Sequence, residues 1–183
     1  HVFPCALSFG TYGVISKRTD SKVIMNSLNF EDLGSIEFDL NNLIHEKEHD
    51  WVNYPKGVIK TFKDHGFNVP FGFNILVYGN IPNGAGLSSS AAFETLIGTI
   101  LSGLFNNMAI SPVDIAIIGQ YAENQFFGKP CGLMDQMACS VGNFVHINFK
   151  NPEKPVIEQV NFDLNKEGYS LCIVDTKGSH ADL

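Results

Sequence analysis

Apolar and polar positions alternate through much of the first third of the chain, the pattern of strands with one face buried. Val2 to Ser16 is rich in apolar and β-branched residues, with turns available at Gly10 and Gly13. Lys22–Asn29 and Ser35–Leu40 read as further strands, parted by the polar turn around Glu31–Gly34. The period then lengthens. Tyr54, Val58, Ile59 and Phe62 recur at helical spacing, which predicts a helix from about Trp51 to His65, with Pro55 near its first turn and Gly66 as its stop. Phe71–Gly79 is a strand with few charges, followed by a loop of turn formers, Asn80 to Leu87. A helix over Ser88–Phe105 presents a small, apolar face of Ala91, Ala92, Leu96, Ile100 and Leu104.

Ser111-Pro112-Val113-Asp114 opens the next helix with a capping serine, proline at the first position and an acid in the first turn. That helix runs to about Phe127, where Gly128, Pro130 and Gly132 break it. A short helix over Met134–Ser140 follows, then strands near Phe144–Phe149, Val156–Val160 and Ser170–Asp175. Strands and helices do not alternate, so a doubly wound sheet is disfavoured. The expected class is α+β, a mixed or antiparallel sheet packed with helices. The chain opens on His1 inside an apolar run and ends at Leu183 without a stop signal, so it reads as a fragment.

Composition narrows the function. Of 183 residues, 44% are hydrophobic and 17% charged, enough apolar material for a core without staples. Twelve basic against nineteen acidic side chains give a net charge of −7 and no basic stripe, which argues against nucleic-acid or anionic-membrane surfaces. A phosphate site here would rest on backbone N–H groups and a metal ion rather than on bulk charge. Cys5, Cys131, Cys139 and Cys172 fit no zinc spacing and read as free, buried thiols of a cytoplasmic protein. There is no signal peptide and no apolar run of membrane-spanning length.

Three segments carry candidate chemistry. Asn83-Gly84-Ala85-Gly86-Leu87-Ser88-Ser89-Ser90 joins a strand to a helix N-terminus. Glycines allow close backbone approach, and the helix start offers free N–H groups and the positive dipole end, a combination suited to phosphate. A well-capped helix after a flexible loop would look the same. Two nucleotide motifs fail: no lysine follows Gly86 as a Walker loop requires, and Ser89 stands where a dinucleotide fingerprint needs Gly or Ala. Next come Glu123, near a helix end, and Asp135, twelve residues on. The break between them allows both carboxylates to reach one pocket, where phosphoryl transfer would need a metal ligand and a proton acceptor. Third, His45-Glu46-Lys47-Glu48-His49 matches the zinc-protease string. Its flanks lack the expected continuation at Val52 and Pro55, so it reads as a solvated charge cluster.

Pro82-x-x-x-Gly86-Leu87-Ser88-Ser89-Ser90-Ala91 resembles the phosphate loop of the GHMP kinases, and the form with three serines is similar to the galactokinase branch. Cys131-Gly132-Leu133-Met134-Asp135-Gln136 resembles that branch's catalytic-aspartate segment. His1–Pro4, Trp51–Gly57 and Asp175–Leu183 are also similar to it, so the resemblance covers essentially the whole chain. It implies a GHMP-kinase N-terminal domain over 1–168, with a second domain beginning at 169–183. It also implies ATP-dependent phosphorylation of the anomeric hydroxyl of galactose, with Mg²⁺, in a cytoplasmic monomer. By the same resemblance Asp135 is the catalytic base and contacts the sugar. The loop Asn83–Ser90 and Ser27 hold the nucleotide, Ser89 and Glu123 hold the metal, and Gly132 lies against the sugar. The family's upstream arginine and sugar ligands, and its third signature, are not among these residues, so the chain alone is expected to be inactive. Alternatives are an N-acetylgalactosamine kinase, a non-catalytic galactose- and ATP-binding sensor of the same fold, or a kinase of mevalonate or homoserine. CGLMDQ argues against the last.

Overall fold

The computed structural model describes residues 1–82, 85–151 and 154–174. Four strands, β1 (Thr11–Lys17), β2 (Lys22–Ser27), β3 (Ile36–Asp39) and β4 (Phe73–Gly79), form a mixed sheet in the order β1-β4-β2-β3. β4 runs antiparallel to β1, with Val14 opposite Leu76, and parallel to β2, with Met25 opposite Ile75. Alternation sets the faces: Phe73, Ile75 and Val77 are buried, whereas Leu76 and Tyr78 are exposed. Helices cover the buried face, so the architecture is the two-layer α+β arrangement expected from the sequence.

The helices are α1 (Asn53–Asp64), α2 (Ser89–Phe105), α3 (Pro112–Tyr121) and α4 (Met134–Val141). Val58, Ile59 and Phe62 of α1 and Ile97 and Leu101 of α2 are fully buried against the sheet. At ~1.5–3 kcal/mol per large apolar side chain, this layer is the main source of stability. The α3 cap forms as expected: Ser111 Oγ accepts from the Asp114 N–H at 3.1 Å, and Pro112 opens the helix. A second, smaller core joins Ala116, Met137, Val145 and Ile147 between α3, α4 and the ribbon of β5 (Phe144–Asn148) and β6 (Val156–Val160). No helix among the described residues is long and apolar enough to cross a membrane.

The structure departs from the expected elements in several places. The stretch from Val2 is not one strand: only Thr11–Lys17 joins the sheet, while Val2 and Cys5 bridge to Ile147 and Phe144 of β5. Gly13 is no turn. It pairs with Val77 inside β1, and a Cβ there would come within 3.2 Å of Ile75 and 3.3 Å of Ile100, so glycine lets α2 settle on the sheet. The buried arc of α2 is rotated from the expected face, centring on Ala91, Glu94, Ile97, Gly98 and Leu101, with Leu96 and Ile100 packed at its flank. No strand forms over residues 170–174, whose Leu171, Ile173 and Val174 are exposed, and Asp175 lies outside the described residues. The four cysteines are free, but none is fully buried: Cys172 is exposed and the other three are half-buried.

The HEKEH segment is also more than a solvated cluster. The Asn53 carboxamide accepts from the Glu46 N–H and donates to the Glu46 and Asp50 carbonyls, folding the segment onto the start of α1. Glu46 ion-pairs with Lys56, whose side chain is fully buried, and His45 packs on the rings of Phe126 and Phe127. No group of three or more potential metal-ligating side chains occurs among the described residues.

Candidate active site

The site lies where the first turn of α2 meets the segment leading into α4. A cleft of 450 Å³ is lined by Gly86, Leu87, Ser88, Ser89 and Ser90 on one side, and by Glu123, Lys129, Gly132 and Asp135 on the other. The two carboxylates separated by a helix break therefore do share one cleft. Gly86, Leu87, Ser88 and Asp135 also line an adjoining cleft of 690 Å³ that reaches Phe9, Thr11 and Thr99. Asp135 thus stands between two cavities.

Ser88 precedes α2 with φ 59° and ψ 41°, a left-handed conformation that costs an L-residue ~1–2 kcal/mol. Its side chain does not cap α2. Instead Ser88 Oγ donates to Asp135 Oδ2 at 2.7 Å, tying the loop to the acid. The first N–H groups of α2 lack intrahelical acceptors and carry the positive end of the helix dipole beside this cleft. Asp135 is in the first turn of α4. Gly132 needs no special backbone, and a Cβ built on it meets nothing within 4 Å; its bareness leaves space in the cleft rather than relieving a protein clash.

Glu123 reaches the cleft through a π-helical turn, Ala122–Phe126, which continues α3 and re-aims one residue inward. The chain then folds back. Gln120 Nε2 and Asn124 Nδ2 donate to the Cys131 carbonyl, and the Cys131 N–H donates to Asn124 Oδ1 at 2.7 Å. This loop closure sets the Gly132–Asp135 segment against the end of α3. Glu123 is only 3% exposed, so it is not on a solvated face.

Glu94 and Gln136 were not singled out in the sequence. Gln136 Nε2 donates to Glu94 Oε2 at 3.0 Å and to Glu123 Oε2 at 2.9 Å, clamping two buried acids through one amide. Burial first, and then the neighbouring Glu123 charge, push the Glu94 carboxyl up to about 8. Glu94 Oε1 and Gln136 Oε1 are buried with no hydrogen-bond partner among the described residues. Burial and the same acids push Tyr54, on the cleft wall, to about 12. Burial, followed by a hydrogen bond to Glu123 and its charge, raises the Cys131 thiol to about 12, so it is an unreactive wall. Gly119 makes room for the cluster, since a Cβ there would lie 3.3 Å from Glu94 Cβ and 3.4 Å from Gln136 Cγ. The available signal was a carboxylate at 94 on the small, apolar helix Ser88–Phe105.

Ser27 lies apart from the acids, in a pocket of 200 Å³ that also receives Ser89 and Ser90. Trp51, Phe30 and Phe93 wall it, with the Trp51 ring stacked 6.4 Å from Phe30, and buried Trp51 Nε1 has no partner among the described residues. Ser27 Oγ accepts from the Asn29 N–H at 3.1 Å, a turn contact that holds the wall. Of the remaining predicted residues, Ala85 is exposed in the loop, and Asn83 and Gly84 lie outside the described residues.

Residues 53–143, which include both the serine turn and the two acids, match the family described as GHMP kinases N terminal domain. The chain belongs to the GHMP kinases. Within that family it is a homologue of galactokinases. It is 61% identical over 142 residues to a galactokinase of Clostridium beijerinckii, covering 78% of this chain and 36% of that protein. It is 48% identical over 176 residues to one of Clostridium acetobutylicum, covering 96% of this chain and 44% of that protein. Its fold superposes on Lactococcus lactis galactokinase complexed with galactose with a TM-score of 0.79 at 34% identity, over 88% of this chain and 42% of that one. The chain thus spans less than half the length of these GHMP-kinase relatives.

Proposed function

We propose that the protein carrying this chain transfers the γ-phosphate of ATP to the anomeric hydroxyl of galactose in the cytoplasm, and that residues 1–168 are its N-terminal domain. The observation that carries this reading is the 2.7 Å contact between Ser88 and Asp135, which puts a phosphate-type helix start and a cleft carboxylate side by side. The kinship with galactokinases supplies the sugar.

Each side chain then has a task. The adenine of ATP sits in the aromatic pocket of Trp51 and Phe93 beside Ser27, and the triphosphate follows the first turn of α2 past Ser89 and Ser90. Ser88 holds Asp135 Oδ2, and Oδ1, with no partner among the described residues, takes the proton of the sugar hydroxyl. Gly132 leaves room for the sugar beside it. Transfer is direct and in line, without a covalent enzyme intermediate.

The oxygen donors fit Mg²⁺. Glu123 and the Ser89 hydroxyl supply hard ligands, and a site with so few protein donors suits a cation that keeps waters and phosphates as its other ligands. Beside Glu123, the buried Glu94 Oε1 and Gln136 Oε1 have no hydrogen-bond partner among the described residues, so the cluster has oxygen acceptors to spare. Bound there, Mg²⁺ would neutralise charge on the transferring phosphate.

Phosphorus NMR of the protein carrying this chain, mixed with ATP, Mg²⁺ and galactose, is expected to show galactose 1-phosphate. Replacing Asp135 with Asn is expected to slow its formation by ~10²-fold or more. N-acetylgalactosamine run alongside separates the two sugars. Binding of ATP and galactose without any product would reassign the protein as a sensor.

A further inference from the structure

Glu123 and Glu94 bring two acids into a nearly dry cluster, and Gln136 offers them an amide but no charge. The cation that meets Glu123 is Lys129. Its Nζ lies 3.3 Å from Glu123 Oε1, and its own side chain is 59% exposed. The placement is built by the backbone: the Lys129 N–H donates to the Glu123 carbonyl at 3.2 Å, so the turn after the π-helical segment fixes the lysine above the acid. The stem then lines the same cleft as Ser88, Ser89 and Asp135.

Two features set this pair apart from a surface salt bridge. Glu123 is buried, so its charge is poorly screened and its neutralisation matters more. And Lys129 grips Oε1 while Gln136 holds Oε2, leaving both oxygens of the proposed metal ligand occupied. A divalent cation must therefore displace the ammonium, which a long and exposed side chain permits at low cost. The displaced ammonium remains in the cleft beside the first turn of α2, where polyphosphate oxygens would be its next partner.

We propose that Lys129 is the resident counter-cation of this site, holding Glu123 in the absence of metal and passing to the nucleotide phosphates when a divalent ion takes the carboxylate. The inference rests on the reading of Glu123 as a metal ligand. It has an unusual signature, because truncating the lysine should improve one kind of binding and impair another. Lys129→Met touches no core, and a merely structural role would not produce opposite signs.

The test titrates Mn²⁺ alone into the protein carrying this chain, followed by electron paramagnetic resonance, with wild type, K129M, K129R and E123Q compared. K129M is expected to bind Mn²⁺ about fivefold to tenfold more tightly. The same variant should raise the KM for ATP by a similar factor with a smaller change in kcat, and K129R should restore both values. Unchanged or weaker Mn²⁺ binding by K129M overturns the inference. E123Q separates the two readings. If E123Q abolishes Mn²⁺ binding while K129M leaves it unaltered, only the role of Lys129 fails. If E123Q binds Mn²⁺ as wild type does, the metal-ligand reading of Glu123 fails and takes this inference with it.

Discussion

Two regions of this domain bury charged side chains, and they do so in opposite ways. At the start of α1, Lys56 is fully buried, yet its ammonium meets Glu46, the Ile44 carbonyl and the face of the Phe38 ring at 5.5 Å. That charge is matched. Between α2, the π-helical turn and α4, Glu94, Glu123 and Gln136 are equally buried, but Lys129 meets Glu123 alone and from an exposed position, while Glu94 has only the Gln136 amide and keeps its proton through neutral pH; Glu94 Oε1 and Gln136 Oε1 have no partner among the described residues. Glu94 is the acid without a cation. The first arrangement fastens the HEKEH segment to the helix behind it. The second keeps a buried carboxylate with an exposed, exchangeable cation at the mouth of a phosphate-type helix start, the kind of site where a metal ion and polyphosphate are expected together.

Substitutions should pull the two regions in opposite directions. The largest effect is expected at the matched charge: Lys56→Ala strands Glu46 and opens a void, lowering stability by ~3 kcal/mol in urea denaturation. At the unmatched site, Glu94→Gln should stabilise the metal-free protein, by ~1–3 kcal/mol at pH 8. The folded Glu94 carboxyl titrates near 8, far above its unfolded value, so the folded state retains the proton that the unfolded chain gives up. Stability from this group is full below the usual carboxylate range and is lost as pH rises through about 8. The gain in E94Q should accordingly vanish when the denaturation is repeated near pH 4. A loss of stability in E94Q at pH 8 would mean that the acid pair is bound as tightly as the Lys56 pair.

A smaller effect is expected at Gly119→Ala, where the new methyl crowds Glu94 and Gln136; ~1 kcal/mol of destabilisation is expected, read from the same denaturation curves. The smallest concerns Glu46. The Lys56 hydrogen bond and charge hold its carboxyl below the usual value. Its contribution is therefore present above the ordinary carboxylate range and fades as pH falls through the lowered value, the reverse of Glu94. A Lys56→Met background should flatten this acid-side slope.

The contrast also explains what could be read from the sequence. The Ser111-Pro112 helix start and the Phe71–Gly79 strand depend on neighbours in sequence, so local rules found both. The serine turn and the pairing of Glu123 with Asp135 across a helix break were legible because a short loop limits where the chain can go. Glu94, Gln136 and Lys56 were not, because their burial depends on how α1, α2 and α4 pack. Gly13 was misread for the same reason: its role is to admit Ile100 from α2, a contact remote in sequence. The strand expected from Ser170 failed because apolar side chains alone do not make a strand without an edge to pair with, and Leu171, Ile173 and Val174 meet none among the described residues.

The proposed phosphoryl-transfer cleft of Ser88, Glu123 and Asp135 is tested by a crystal structure of the protein carrying this chain with galactose, Mg²⁺ and a non-hydrolysable ATP analogue. The triphosphate is expected along the first turn of α2, the ion on Glu123, and the sugar's anomeric oxygen ~2.6–3.2 Å from Asp135. Galactose bound with its anomeric oxygen out of reach of Asp135, or phosphates seated away from Ser88–Ser90, would contradict it.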